Sequence, residues 1–236
     1  HVINVPAWGA ARETAVPTIR RRWTSRTGRP RRSFSSQSKM TRSSVDVSVV
    51  TATIPSRTSL LAEAISSVAA QSVKPEDHLI AVDLHRQGGG PTKSQLIRSS
   101  KRKWISILDD DDLLKPNHLE VLVDNSDGAD IVASYAEGPG YSRWYNAPFN
   151  IENLKVGNCV SHNALIRREL FDEVGMFGSE HGYDWTFWAR AAAAGAKFVI
   201  VPTVTWVYRI DDAWDHESRD VSGLEATREM VRSILG

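Results

Sequence analysis

Apolar positions along this chain fall into runs that alternate between two periods. Val47 to Ile54 is dense in β-branched residues and ends at Pro55, which predicts a buried strand with a breaker behind it. Ser56, Thr58 and Ser59 offer N-cap oxygens, and Leu61, Ala64, Ile65, Val68 and Ala69 recur at helical spacing, so a helix burying one face should follow. Lys74-Pro75 closes this unit, and His78 to Asp83 reads as a second short strand that finishes on an acid. Strand, helix and strand in succession make a βαβ unit with a parallel strand pair.

The alternation continues downstream. Gly88-Gly89-Gly90-Pro91 reads as a loop, Thr92 to Ser100 as a short helix burying Leu96 and Ile97, and Trp104 to Leu108 as a third strand. That strand runs straight into Asp109-Asp110-Asp111-Asp112. Pro116 suits the first turn of a helix carrying Leu119, Val121, Leu122 and Val123, and Ala129 to Tyr135 reads as a fourth strand. The stretch from Glu137 to about Asn158, rich in Gly, Asn, Pro and aromatics, fits no element; long loops of that kind are often functional. Asn163 to Ile166 is strand-like, and Arg168 to Val174 is a short helix stopped at Gly175. Asp184 to Ala194 is a helix with Gly195 as its C-cap. Two late strands, Lys197 to Val201 and Thr203 to Tyr208, precede a helical tail from Leu224 to Leu235. The pattern is that of one α/β domain over residues 45–236.

Charge changes the picture at the N-terminal end. Residues 1–44 carry ten basic side chains and one acid, Glu13, so the remainder holds 19 basic and 27 acidic residues. With Arg20-Arg21-Arg22, Arg31-Arg32 and no sustained apolar period, this stretch is expected to be a disordered basic arm. The preferred reading takes Met40 as the natural start and the upstream stretch as an extension; a nucleic-acid-binding arm is the alternative. The single cysteine, Cys159, excludes a disulfide framework and a cysteine-only zinc site. No apolar run approaches the roughly 18 to 20 residues of a membrane span, and no h-region follows the arginines, so a cytoplasmic location is expected.

The acidic run is the strongest local chemistry. Four adjacent carboxylates repel one another, so gathering them costs stability unless a cation or solvent offsets the charge. They stand at the carboxyl end of a buried strand, the edge where open α/β sheets place ligands. Carboxylates there could hold Mg²⁺ or Mn²⁺, which complete their coordination with water and phosphate oxygens. A solvated acidic turn before a helix is the plainer alternative.

Five stretches, in order, resemble the family 2 glycosyltransferases: Val47 to Pro55, Ala64 to Ser72, Trp104 to Asp112, Ala164 to Phe177, and Tyr183 to Gly195. The resemblance covers about Val45 to Tyr208. It implies the GT-A fold, a single nucleotide-binding α/β domain with a Rossmann-like mixed central sheet flanked by helices. It also implies transfer of a sugar, with inversion, from a nucleotide-diphosphate donor to an acceptor hydroxyl. By position, Thr51, Thr53 and Asp83 match residues lining the base and ribose. Asp109 and Asp111 match the outer members of the Asp-x-Asp motif, with Asp110 between them at the donor and Asp111 the expected direct metal ligand. Asp184 matches the catalytic base, a role that chemistry also demands, because an acceptor hydroxyl must lose its proton as it attacks. Trp185 could stack on a sugar, His162 could touch the acceptor, Lys93 could contact diphosphate, and His216 could join the metal.

The chain departs from the family pattern at several places. Asp83-Leu84-His85-Arg86 keeps one acid where two are usual, Tyr183-Asp184 likewise keeps one, and Ile210-Asp211-Asp212 stands where a histidine often follows. A nucleotidyltransferase would need a Gly-rich loop after the first strand, where Pro55-Ser56-Arg57-Thr58 stands. A P-loop enzyme would need a Gly-Lys-Ser/Thr motif, which does not occur. The competing reading from another class is a non-catalytic nucleotide- or sugar-binding module on the same fold.

Overall fold

The computed structural model describes residues 2–6, 43–138, 148–209 and 221–236. Among these residues, eight strands form one mixed sheet in the order β1-β3-β2-β4-β7-β6-β8-β5. They are β1 (Val2–Pro6), β2 (Ser44–Thr53), β3 (Lys74–Val82), β4 (Trp104–Ile107), β5 (Leu113–Leu114), β6 (Ile131–Glu137), β7 (Leu165–Arg167) and β8 (Phe198–Val207). β2 runs parallel to both β3 and β4, whereas β7 opposes both β4 and β6, and β8 is parallel to β6. The expected parallel pair and mixed sheet are therefore present.

Among the described residues, seven helices accompany the sheet: α1 (Thr58–Ala69), α2 (Gly89–Ser99), α3 (His118–Asp124), α4 (Ile151–Val156), α5 (Leu170–Val174), α6 (Tyr183–Ala193) and α7 (Val221–Leu235). The core lies in two layers. One gathers Val47, Val49, Trp104 and Leu108 with Ala64 and Val68 of α1 and Leu119 and Leu122 of α3. The other gathers Val50, Ile105 and Ile107 with Leu96 and Ile97 of α2 and with Trp185, Phe187 and Trp188 of α6. Alternate residues of β2 and β4 thus feed opposite layers, as the period-two pleat requires. Both strands are covered on both faces, which is why they read as continuous apolar runs.

This layering positions the site. The chain leaves β2 through α1 on one face to reach β3, then passes through α2 on the other face to reach β4, on the far side of β2. A reversal of that kind opens a crevice at the carboxyl ends of the strands. The ends are knit together there: Leu108 N–H donates to Val50 O at 3.1 Å, and Asp83 N–H donates to Thr53 O at 2.7 Å.

Several elements differ from the sequence pattern, each for a local reason. Lys74-Pro75 opens β3 instead of closing the preceding unit; a proline is tolerated at a strand's start, where its missing N–H breaks little of the ladder. No Ser or Thr side chain caps α1; a 3₁₀ turn at Pro55–Arg57 leads into it, and Thr58 Oγ1 donates back to Pro55 O at 3.1 Å. Gly89, Gly90 and Pro91 are the first turn of α2 and not a loop. The two late strands are one, β8, whose pairing with β6 slips between Val201 and Val204, around Pro202 and Thr203. A proline cannot donate to the ladder, so the strand bulges there and continues. The unassigned segment contains α4, capped by Asn150, whose Oδ1 accepts from Glu152 N–H at 2.8 Å. The edge strand β1 falls within the stretch expected to be a disordered arm and pairs antiparallel with β3. Among the described residues, no helix is long and apolar enough to cross a membrane.

Ile166 is fully buried where β7 joins β4 to β6. Ile166→Ala should lower unfolding stability by about 2–5 kcal/mol through the lost burial and the cavity left behind. Val204→Ala, at an exposed position of β8, should change it by less than about 1 kcal/mol. Denaturant unfolding of the two variants measures the contrast.

Candidate active site

The acidic run follows the end of β4, and its four carboxylates find four different settings. Lys93 Nζ, from α2, donates to Asp109 Oδ1, and His162 Nε2 lies 3.5 Å from Asp109 Oδ2. Asp110 accepts from Thr53 Oγ1 at 2.6 Å and from Arg57 at 3.0 Å. Asp111 shares the same Arg57 nitrogen at 3.3 Å. Asp112 accepts from Asn163 Nδ2 at 3.0 Å and from the Arg209 backbone N–H at 3.2 Å. Arg209 also donates from Nε to Asp111 O and from Nη1 to Glu63, at 2.6 Å for the latter; its Nη2 is buried with no partner among the described residues.

Charge is unevenly offset across the run. Burial, Asp109 and Asp110 push the Asp111 carboxyl up to about 6, with Arg57 pulling against them. Burial, Asp109 and Asp111 likewise lift Asp112 well above the ordinary carboxylate range, against Asn163 and Arg209. Asp109 goes the other way: its burial opposes ionisation, but His162 and Lys93 hold it well below that range. Asp111 and Asp112 are therefore the acids whose negative charge is least compensated, and both favour a proton or a cation.

Asp184 enters the same network from the first turn of α6. Its burial opposes ionisation, but His162, Asn158 and the Trp185 amide together hold its carboxyl below the usual value. Asn158 Nδ2 donates at 2.7 Å to Asp184 Oδ2, and Trp185 N–H donates at 2.8 Å to Oδ1. His162 Nδ1 lies 3.4 Å from Asp184 Oδ2. His162 thus stands between Asp109 and Asp184, one acid facing each ring nitrogen. Two influences on this ring pull apart. Burial disfavours its charged form, yet Asp109 and Asp184 carry its pKa up to about 9. The 3.0 Å contact with Lys93 Nζ instead needs Nε2 to accept. In either state Nδ1 carries a hydrogen toward Asp184.

The remaining sequence-derived positions are placed as follows. Thr53 and Asp110 meet at the strand ends, as above. Asp83 is buried and accepts from the backbone N–H groups of Gln87 and Gly88, at 3.0 and 2.8 Å, shaping the turn before α2. Thr51 is fully buried and turned toward His78 Nε2 at 3.1 Å. Trp185 lies in the core with Nε1 donating to Leu154 O at 2.8 Å; a ring only 2% exposed offers no face to a sugar. Lys93 is equally covered, at 2% exposure. His216 lies outside the described residues.

Among the described residues, no group of three or more His, Cys, Asp and Glu side chains could hold an ion alone. Asp111, with excess negative charge beside it, fits an ion that takes one or two carboxylates and fills its shell with phosphate and water. Asp109 fits less well, since Lys93 already holds one of its oxygens.

Sequence reasoning did not find Arg57, Tyr183, Asn158 or Arg209. Arg57 alone carried a usable signal, a cation directly after the first strand's breaker. Asn158 sits at the end of the unassigned segment, and Arg209 follows a strand without a motif.

Comparison with known proteins agrees with this architecture. The sequence model of glycosyl transferase family 2 matches residues 69–175, the segment that holds Lys93, the acidic run and His162. An uncharacterized glycosyltransferase of Bacillus subtilis, YwdF, is 27% identical over 171 residues, covering 66% of this chain and 63% of its own length. The succinoglycan biosynthesis protein ExoO of Rhizobium meliloti is 24% identical over 179 residues, covering 63% of this chain and 49% of its own. The chain thus spans less than two thirds of either relative. Among solved structures, residues 1–349 of S. aureus TarS in complex with UDP-GlcNAc superpose with a TM-score of 0.62 at 13% identity, over 80% of this chain and 65% of that one. The mannosyltransferase PcManGT of Pyrobaculum calidifontis, in complex with GDP-Man and Mn²⁺, gives 0.57 at 14%, over 71% and 58%. These neighbours identify the sheet as that of the GT-A glycosyltransferases. Residues 69–175 are thus a segment of the glycosyl transferase family 2 type, set in that fold with its motifs in order.

Proposed function

We propose that this protein transfers a sugar from a nucleotide-diphosphate donor to an acceptor hydroxyl, with inversion at the anomeric carbon and with the help of Mn²⁺ or Mg²⁺. The observation that carries the reading is the convergence of Asp109 and Asp184 on His162, which joins the end of β4 to the start of α6 in one partly exposed network. The nucleotide sugars held by TarS and PcManGT support such a donor, and the Mn²⁺ of the latter supports the ion.

In this reading Thr53 and Arg57 hold Asp110 at the strand ends, beside the place of the nucleotide. Asp111 would take the ion, with Asp109 the weaker candidate. When bound, the ion would neutralise charge gathering on the departing diphosphate. Asp184 is already ionised by its three hydrogen-bonding neighbours and takes the proton of the acceptor hydroxyl as it attacks. The acceptor oxygen bonds to the anomeric carbon while the bond from that carbon to the phosphate oxygen breaks, and the nucleoside diphosphate leaves with the electron pair. A single displacement needs one base and no protein nucleophile, which suits a network with one carboxylate on its α6 side.

Two substitutions test the assignment. Asp111→Ala should abolish the Mn²⁺-dependent part of UDP or GDP binding, measured by calorimetry; unchanged affinity would remove it as ligand. The same position has a pH signature without divalent ions. Its folded value of about 6 lies above the ordinary 3.8, so the folded state binds the extra proton and stability falls as pH rises from about 4 to about 6. Asp111→Asn should therefore gain stability over wild type across that window, by on the order of 1–3 kcal/mol. Asp184→Asn should keep nucleotide binding while nucleoside diphosphate release from UDP-GlcNAc or GDP-Man drops by about 100-fold or more. Near-normal turnover would discard it as the base. Donor-dependent thermal stabilisation of the wild type without any release would mark a binding module instead.

A further inference from the structure

Lys93 is the most deeply covered cation near the acidic run. Its side chain is 2% exposed, and its ammonium group has three hydrogens with three partners: Asp109 Oδ1, Tyr183 Oη at 2.7 Å and His162 Nε2 at 3.0 Å. With His162 neutral no N–H remains for a ligand; with the ring charged, Nε2–H turns to Asp109 and the ammonium stays buried between Asp109 and Tyr183. The fold presses this group into place. A Cβ on Gly90 would come within 2.0 Å of Gly178 O and 2.9 Å of the Tyr183 ring, and one on Gly89 within 2.9 Å of Tyr183 Oη. The two glycines let the first turn of α2 lie against Tyr183, and Lys93 follows in the next turn. Its ammonium also lies 5.3 Å from the centre of the Tyr183 ring.

We propose that Lys93 is a positioning residue and not a diphosphate ligand: it fixes the imidazole of His162 so that Nδ1–H faces Asp184, and thereby ties the α6 carboxylate to Asp109 across the crevice. This rests on Asp184 acting as the base. Lys93 reaches the Asp184 carboxylate through His162, and the neighbouring Tyr183 through its hydroxyl. With Nε2 engaged by Lys93 in the neutral ring, or by the Lys93-held Asp109 in the charged one, Nδ1–H faces Asp184 Oδ2, and Asn158 donates to the same oxygen. Asp184 then presents a carboxylate whose orientation is set before the acceptor arrives. Misplacing such a group by about 1 Å can cost about 100-fold in rate.

The test uses Lys93→Met and His162→Gln, singly and combined, in the full chain. Nucleoside diphosphate release is followed from UDP-GlcNAc and GDP-Man with Mn²⁺, and binding of UDP and GDP is measured alongside. Each single variant should lower kcat about 10- to 100-fold with nucleotide Kd changed less than about threefold. The double variant should be no slower than the slower single one, because both act on Asp184 through one contact. Raised nucleotide Kd with kcat preserved would make Lys93 a donor ligand, and multiplied penalties would break the link; either result overturns the proposal. Should Lys93→Met fail to fold, Tyr183→Phe keeps the charge and removes one acceptor; kcat should fall while the melting temperature stays near wild type, and an unchanged kcat overturns the proposal. Histidine ¹⁵N NMR reads the ring without turnover: the Nε2 signal of His162 should shift in either Lys93→Met or Tyr183→Phe, and an unmoved signal also refutes the positioning role. Failure of the wild type to release nucleoside diphosphate from any donor would instead sink the proposed function, while the NMR result would still decide the Lys93–His162 contact.

Discussion

The structure around the crevice depends on one constraint: four consecutive carboxylates are held at the end of a buried strand. Two unit charges about 4 Å apart interact by about 4 kcal/mol at an effective dielectric of 20, so four of them cannot be gathered without nearby partners. Each acid is matched to a group from a different part of the chain. Lys93 comes from α2, Thr53 from β2, Arg57 from the turn after it, Asn163 from the approach to β7, and Arg209 from the end of β8. The crevice is bounded by the elements that supply this compensation.

Compensation is incomplete, and where it fails is informative. Asp109 is held ionised by His162 and Lys93, whereas Asp111 and Asp112 stay reluctant to ionise. The two ends of the run therefore differ. Towards α6, Lys93 and His162 offset Asp109 and Asp184; towards Arg57 and the ends of β2 and β4, Asp111 and Asp112 lack full compensation and favour a proton or a cation. Such polarity suits chemistry in which a proton is accepted at one end and an anionic group departs at the other.

Helix placement explains why these groups can meet. α1 and α2 cover opposite faces, so the sheet opens between the ends of β2 and β4 and side chains from both layers reach the gap. Two glycines at the start of α2 bring that helix against Tyr183, and a left-handed Gly182 starts α6. Here glycine is needed for close approach at one helix start and for a positive φ at the other.

The strands, most helices and the acidic run were legible because each is written in local periodicity: β-branched runs for β2 and β4, helical spacing for α1 and α6, and Asp109 to Asp112 at a strand's end. Even the misjudged places were local matters of proline and glycine, such as Pro75 starting β3 and Pro202 bulging a single β8. What local pattern cannot carry is which distant side chain neutralises which acid. Lys93, His162, Asn158 and Asp184 come from separate elements, and only the packed sheet sets them within hydrogen-bonding range. Trp185 shows the same limit from the other side: its spacing allowed either a ligand face or a core face, and packing against α4 decided for the core. Chain periodicity thus determined the elements and the charge that had to be managed. Tertiary structure determined the partners, because electrostatic pairing depends on distance through space and not along the chain.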